Sequence, residues 1–458
     1  MPAPTKMHGL SVLARLLPFF CSGTLALVVY VATMAPSLVW AHMGSDGGNL
    51  VTSAVTGRVS HPPGSPVYHL LARASVLLLS GDPARLLNVF SAVMAAAAVA
   101  LFAAALRRRG YAWPIASSAA LTLAFAPWVW SQAVITEVYT TGLFFAVLAL
   151  YLAEVRFRKR WVGDGLSGLA LGLAVSVHLT IGSLALFLWI DRKVAWRAAL
   201  SGLALGLVPY LLLPLFGPWP QPWGDLRSVS GWWEFVSARM YWGNAFGLPW
   251  ASWPHRLLAW LVLLTRQFTP VGMALALAGL VTLWRQSRWR AVAVVAAWLP
   301  VTFYAVGYNS ADSWVYLLAF LPLLALILAE GLRWISERGI PSWLALGLPL
   351  VLVLLNWASI DLHDDREAGM WLERTLSQVP ANALVLTHAD RHTFALWYAT
   401  DAVGMRQDLV VIDARLWGYE PYVGSIAARI GVDNPELEEL GRERPVCEIR
   451  QEGELICP

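Results

Sequence analysis

The feature that most constrains this chain is a succession of apolar runs separated by short polar loops. They are Leu16–Met34, Leu86–Leu106, Trp113–Pro127, Tyr139–Val155, Gly165–Ser176, Leu179–Ile190, Ala198–Phe216, Thr269–Trp284, Ala291–Gly307, Trp314–Leu332 and Ser342–Ile360. The longer ones suffice to cross roughly 30 Å of hydrocarbon as helices. Composition agrees: 58% of residues are hydrophobic and 14% charged, against about 25% charged in a soluble domain. The 25 Trp residues suit the membrane–water boundary, where ring and N–H are both satisfied, although core packing explains any single one equally well. The expected fold is an all-α polytopic membrane protein of about eleven transmembrane helices over residues 1–360. A small α/β domain follows over 361–458. The first run lacks a small-residue cleavage site and is read as a retained helix.

Charge sets the expected sidedness. Basic clusters sit at Arg107–Arg109, at Arg156/Arg158/Lys159/Arg160, at Arg192/Lys193/Arg197, at Arg285/Arg288/Arg290 and at Arg333/Arg338. The alternate loops around Gln132, Val177 and Asn309 have none. The positive-inside rule places the five clusters in the cytoplasm, so Gly165–Ile190 must hold an even number of crossings, as two short helices or a re-entrant pair. The N-terminus is then inside and the C-terminus outside, in the inner (cell) membrane of a bacterium. The same loops account for the net charge of +4 without nucleic-acid binding.

Two outer loops are long, Ala35–Arg85 and Gly217–His255. Val67–Leu79 and Arg256–Leu264 beside them read as interfacial or re-entrant helices. The run Pro218-Trp219-Pro220-Gln221-Pro222-Trp223 cannot be regular helix and reads as a lid or surface loop. Beyond Asp361 the apolar runs shorten. Ala383–Thr387 and Leu409–Asp413 read as buried strands, Glu367–Gln378 and His392–Ala402 as helices. Cys21 reads as a core residue. Cys447 and Cys457 could pair in an oxidising compartment or stay as thiols; their spacing leaves both open.

The polar residues of the outer loops carry the functional reading, because charge beside a bilayer is costly without a role or a partner. Ser45-Asp46-Gly47-Gly48-Asn49 presents a carboxylate on glycines that let the chain turn and a ligand approach; an Asp-Gly turn is the plainer reading. His61-Pro62-Pro63-Gly64-Ser65-Pro66 fixes a rigid path whose histidine could meet an anion or shuttle a proton, or merely cap a helix start. Glu137 lies at the start of the fourth helix, where the helix dipole alone would stabilise a carboxylate. Gln132, Tyr139, His178 and Asp312 fall on the same side. If Asp46 and Glu137 share one outer cleft, they could act as base and ligand anchor, or hold a divalent metal.

The ordered motifs Asp46-Gly47-Gly48, His61-Pro62-Pro63-Gly64-x-Pro66-x-Tyr68, Arg85-x-x-Asn88, Trp130-Ser131-Gln132-x-x-x-x-Glu137-Val138-Tyr139 and His178-Leu179-Thr180 resemble a multi-pass membrane family. That family was formerly of unknown function and is associated with protein O-mannosyltransferases of the GT-C type. The resemblance covers Thr24 to Leu186 strongly and extends to Thr387-His388-Ala389-Asp390, Trp397-Tyr398 and Arg406-x-Asp408. It implies an inverting transferase taking a sugar, such as mannose, from a polyprenyl-phosphate donor in the membrane lipid. The acceptor would be a hydroxyl of a protein or glycan on the extracytoplasmic face. Asp46 would be the general base and Glu137 a second acid, with His61, His178 or Arg85 facing the donor phosphate. One departure is Asn49, where the family usually has an acidic residue. The other class is a non-catalytic membrane protein, such as a lipid-linked sugar transporter or an assembly factor. A transporter should show repeats and polar residues at mid-membrane, and neither is visible here.

Overall fold

The computed structural model describes residues 12–190, 193–433 and 435–457, with side chains from residue 19 onward. Arg192 of the third basic cluster lies outside the described residues. Helix α1 (Val12–Thr33) leads to α2 (Gly47–Thr56) and α3 (Pro66–Leu78) in the first long loop. Then come α4 (Pro83–Arg108), α5 (Trp113–Ala124), α6 (Pro127–Ala133), α7 (Tyr139–Glu154), α8 (Arg160–Val175) and α9 (Leu184–Trp189). The second half comprises α10 (Trp196–Leu207), α11 (Pro209–Leu212), α12 (Val229–Val236), α13 (Trp253–Gln286), α14 (Arg288–Gly307), α15 (Leu321–Ser336) and α16 (Gly347–Ile360).

Each of the eleven apolar runs is helical, but among the described residues six segments are long and apolar enough to span a membrane by length and composition. The others are shorter: α7 and α8 have 16 residues each and α5 has 12. Between Gly165 and Ile190 the chain forms α8 and then a 3-10 turn leading into α9, the expected short pair. Arg256–Leu264 lies in the first of the two helical segments of α13, which meet at Thr269 (φ 63°, ψ 163°), a non-helical residue directly before Pro270. The ring of a proline disfavours the helical conformation in the residue before it, so the first segment stops at Thr269 and the second starts at Pro270. Residues 217–228 contain no helix, as the prolines require.

In lipid there is no hydrophobic drive between apolar helices, and small residues let backbones touch. That rule fixes the two closest pairs. A Cβ at Gly202 of α10 would lie 2.0 Å from the Gly165 carbonyl oxygen, and one at Gly168 of α8 would lie 2.1 Å from that of Ala199. A Cβ at Gly279 of α13 would lie 1.8 Å from the Ile327 oxygen of α15. The segment Ser313–Ser336, which includes α15, is buried almost throughout and forms the axis of the bundle, whereas Ser342–Ile360 is mostly exposed and faces outward. Exposed tryptophans mark both ends: Trp113, Trp161, Trp196, Trp289 and Trp343 near the basic loops, and Trp233, Trp242 and Trp250 in the second long loop.

After α16 the chain builds α17 (Glu367–Gln378), β1 (Leu384–Thr387), α18 (Asp390–Trp397), β2 (Val410–Asp413), α19 (Glu420–Ile430), α20 (Leu437–Glu443), β3 (Val446–Ile449) and β4 (Leu455–Ile456). The sheet order is β2-β1-β3-β4, with β1 parallel to both β2 and β3 and β4 antiparallel to β3. Cys447 and Cys457 form a disulfide, which closes the β3–β4 hairpin. This module sits on the long loops. Tyr398 donates to Asp82 Oδ2 at 2.7 Å, Tyr419 donates to the Trp223 carbonyl at 3.0 Å, and the Leu362 N–H bonds the last turn of α1 at Thr33. One apolar core, including Leu50, Val51, Phe394, Leu396 and Val411, runs through loop and module together.

Candidate active site

At this end of the bundle a cavity of about 450 Å³ opens between the long loops, the helix ends and the C-terminal module. The turn Ala41–Asp46 delivers Asp46 to it. His42 (φ 57°) and Met43 (φ 66°) are both left-handed there, a strained conformation that the surroundings must hold. They are held: the Gln132 amide donates to the His42 carbonyl at 3.0 Å, and Gly44 leaves no room for a side chain against the Val39 oxygen. Gln132 therefore supports the turn from behind and does not line the cavity.

The glycines after Asp46 serve packing. A Cβ at Gly48 would lie 2.3 Å from the Phe394 carbonyl oxygen, so it is α18 that approaches this backbone, where a ligand was expected. Asn49 faces away from the cavity and is 2% exposed. Its Oδ1 accepts from the His61 backbone N–H at 2.9 Å and from His61 Nδ1 at 3.0 Å. A backbone N–H can only donate, so the Asn49 atom is the oxygen. Nδ1 must then carry the donated proton. Nε2 faces Asp46 Oδ2 at 3.6 Å. The His61 ring lies parallel to Phe394 and edge-on to Trp223.

Glu137 reaches the cavity from the turn before α7 and is 4% exposed, while the Asp46 side chain is 35% exposed and opens into the cavity. Both lie outside the spanning segments. Burial pushes Asp46 upward, His61 opposes this, and Asp390 and Asp312 reinforce it. Burial pushes Glu137 well above the usual carboxylate range, with the Asp46 charge adding to it. Glu137 is the more enclosed and lacks a cationic neighbour, so of the two it retains its proton to higher pH.

His178 bonds Thr180 Oγ1 at 2.7 Å and packs against the rings of Tyr139 and Tyr316. Burial pushes it down to about 4, so it enters neutral chemistry as a hydrogen-bonding imidazole without charge. Asp312 lies in a loop tied down by Arg256, whose guanidinium bonds the carbonyls of Ala305, Val306, Tyr308 and Ser310 and the hydroxyl of Ser313. Arg85 stands on the exposed first turn of α4, where its N–H bonds Asp82, and does not reach the cavity.

Asp46, His61, Glu137, Tyr139, His178 and Asp312 thus share one cavity, whereas Asn49, Gln132 and Arg85 do not line it. The residues the sequence reasoning missed are Tyr241, Asn244, Tyr304, Tyr308, Tyr316, Asp390 and Phe394. Asp390 and Phe394 sit in or beside the Thr387–Asp390 motif, which was the available signal. Asp390 is held by Arg415 at 2.5 Å. Four carboxylates line the cavity and, among the described residues, no Lys or Arg does; nor do three His, Cys, Asp or Glu side chains converge as metal ligands. Carboxylates of unequal environment beside a histidine form an arrangement suited to proton abstraction from a hydroxyl.

Residues 46–197 match the family described as the Protein O-mannosyl-transferase TMEM260 N-terminal domain, a stretch that begins at Asp46. The protein O-mannosyl-transferase TMEM260 of Mus musculus is 24% identical over 459 residues, covering 89% of this chain and 64% of the relative. The Dictyostelium discoideum protein of the same description is 24% identical over 321 residues, covering 61% of this chain and 37% of the relative. The chain spans less than two thirds of the length of either. The crystal structure of ArnT from Cupriavidus metallidurans bound to undecaprenyl phosphate superposes with a TM-score of 0.58 at 12% identity, covering 89% of this chain and 92% of that one. The chain therefore resembles the TMEM260 protein O-mannosyl-transferases in sequence and has the fold of the GT-C membrane glycosyltransferases.

Proposed function

We propose that this protein transfers a sugar from a polyprenyl-phosphate donor to a hydroxyl of a protein or glycan acceptor, at the extracytoplasmic face and with inversion. The observation that carries this reading is the meeting of Asp46, His61 and Glu137 in one cavity at the end of the bundle opposite the basic loops. Asp46, exposed to the cavity, takes the proton of the acceptor O–H. The freed oxygen attacks the anomeric carbon, and the sugar–phosphate bond breaks with its electron pair leaving on the lipid phosphate. His61 Nε2, 3.6 Å from Asp46, favours the ionised carboxylate when it is charged. Glu137, the more enclosed acid, stays protonated and adds no further negative charge to a pocket that also holds Asp46, Asp312 and Asp390. Tyr241, Asn244 and Tyr308 line the same cavity and supply neutral hydrogen-bond donors for the donor phosphate in this reading. The ArnT neighbour, whose structure holds undecaprenyl phosphate, supports a polyprenyl-phosphate donor.

The test is transfer of labelled sugar from a polyprenyl-phosphate donor by lipid-reconstituted protein. A positioned general base contributes roughly 10²–10⁴-fold, so a folded Asp46→Asn variant should lose that much. Equal turnover in both proteins would remove Asp46 from the role.

A further inference from the structure

A second cavity, of about 480 Å³, lies at the opposite end of the bundle, among the ends of α4, α7, α9, α13 and α15 and the start of α14. Among the described residues its rim carries Arg109, Arg156, Arg290 and Arg333 against Glu154 and Glu330. Two of the arginines are pre-set. Arg109 bonds Glu154 at 2.8 Å and lies over the Phe187 ring; Arg333 pairs with Glu330 and lies over the Tyr111 ring. Glu330 is itself 5% exposed and accepts from the Tyr111 hydroxyl. Arg333 also lies 3.8 Å from Glu337, and Arg156 and Arg290 line the same rim. The floor is apolar, with Leu150, Leu188 and Leu326.

A polar rim of arginines over an apolar floor, between helices and beside the basic loops, matches a group with a phosphate and an attached hydrocarbon. Guanidinium forks suit phosphate oxygens, and basic pockets between membrane helices on the cytoplasmic side take anionic headgroups. We propose that this cavity binds a phosphate group, carried by an anionic membrane lipid or by a small soluble phosphate. The site shares no residue with the cavity that contains Asp46, so the proposal stands apart from the glycosyl-transfer reading.

The experiment is native mass spectrometry of the detergent-solubilised full chain, titrated separately with phosphatidylglycerol, phosphatidylcholine and inorganic phosphate. The variants are Arg156→Gln/Arg290→Gln and, as a control in the same loops but off the rim, Arg285→Gln/Arg288→Gln. Retention of phosphatidylglycerol over phosphatidylcholine, weakened roughly thirtyfold in the rim variant and preserved in the control, supports a lipid headgroup. Inorganic phosphate binding with the same variant pattern, without preference for phosphatidylglycerol, supports a soluble phosphate. Equal loss in both variants, or no preference for any phosphate probe in the wild type, overturns the proposal. Matching thermal unfolding of the two variants separates lost binding from lost fold.

Discussion

Asn49 and His61 are joined through a single oxygen: Asn49 Oδ1 accepts the backbone N–H of His61 at 2.9 Å and its Nδ1–H at 3.0 Å. The bond fixes which imidazole nitrogen points at Asp46, so Asn49 acts on the cavity through His61, from outside it. Asn49→Ala leaves a part-buried backbone N–H unpaired, which costs up to about 1–3 kcal/mol, and thermal unfolding of the purified protein should show that loss. Asn49→Asp keeps both acceptor bonds and adds a negative charge behind the ring. It should therefore hold the ring in place, and its rate–pH profile should stay closer to wild type than that of Asn49→Ala.

The acid side of that profile belongs to Asp46. Burial, with Asp390 and Asp312 nearby, raises its pKa above the ordinary carboxylate value of 3.8. A base works only when ionised, so transfer should rise with pH through a midpoint above that value and be lost below it. Asp312→Asn removes one like charge, and its midpoint should fall. The check is kcat/KM against pH for wild type and variant; an upward shift would contradict the assigned sign.

Glu137 responds in the opposite sense. Its folded-state pKa lies well above the unfolded value of about 4.5. Its favourable contribution to stability is therefore fully present below the unfolded pKa and is lost as pH rises through the folded one. Glu137→Gln mimics the protonated acid, so the variant should be at least as stable as wild type at neutral pH and should lose that part of the pH dependence. Its transfer rate should fall by less than tenfold, against the roughly 10²–10⁴-fold expected for Asp46→Asn. Paired melting curves at acidic and neutral pH, with rates alongside, test both statements.

The bundle makes a separate prediction. A methyl group at Gly202 would meet the Gly165 carbonyl oxygen at 2.0 Å, whereas one at Gly347 meets nothing within 4 Å. Gly202→Ala should force α8 and α10 apart at a cost of about 1–3 kcal/mol. Gly347→Ala should be neutral or stabilising by about 0.4–1 kcal/mol. Unfolding in detergent would separate the two, and equal melting temperatures would sink the packing argument.

Much of the architecture was legible in the residues. Hydropathy located all eleven apolar helices, and period and composition located α17, β1 and β2, because these signals act over neighbouring residues. The basic clusters paired the helix ends correctly: Arg109, Arg156, Arg290 and Arg333 do meet at one end. The ordered motifs picked out Asp46, His61, Glu137 and His178, which share the cavity. Local signals could not show how Arg256–Leu264 joins the span that starts at Pro270, through a non-helical Thr269. They also left open whether Cys447 meets Cys457, which depends on the short strands β3 and β4 lying side by side.

What the sequence determined by itself was which segments avoid water and which end of each carries charge, since apolar and charged side chains choose their solvent residue by residue. Which polar groups face one another was decided only in three dimensions. Asp390 comes to Asp46 because α18 rests on the bare backbone of Gly48; Asn49 turns away because the His61 N–H needs an acceptor; Arg85 remains on an exposed helix turn. The reason is physical: hydrogen bonds, close backbone contacts and like-charge coupling act over a few ångströms of space, whatever the distance along the chain.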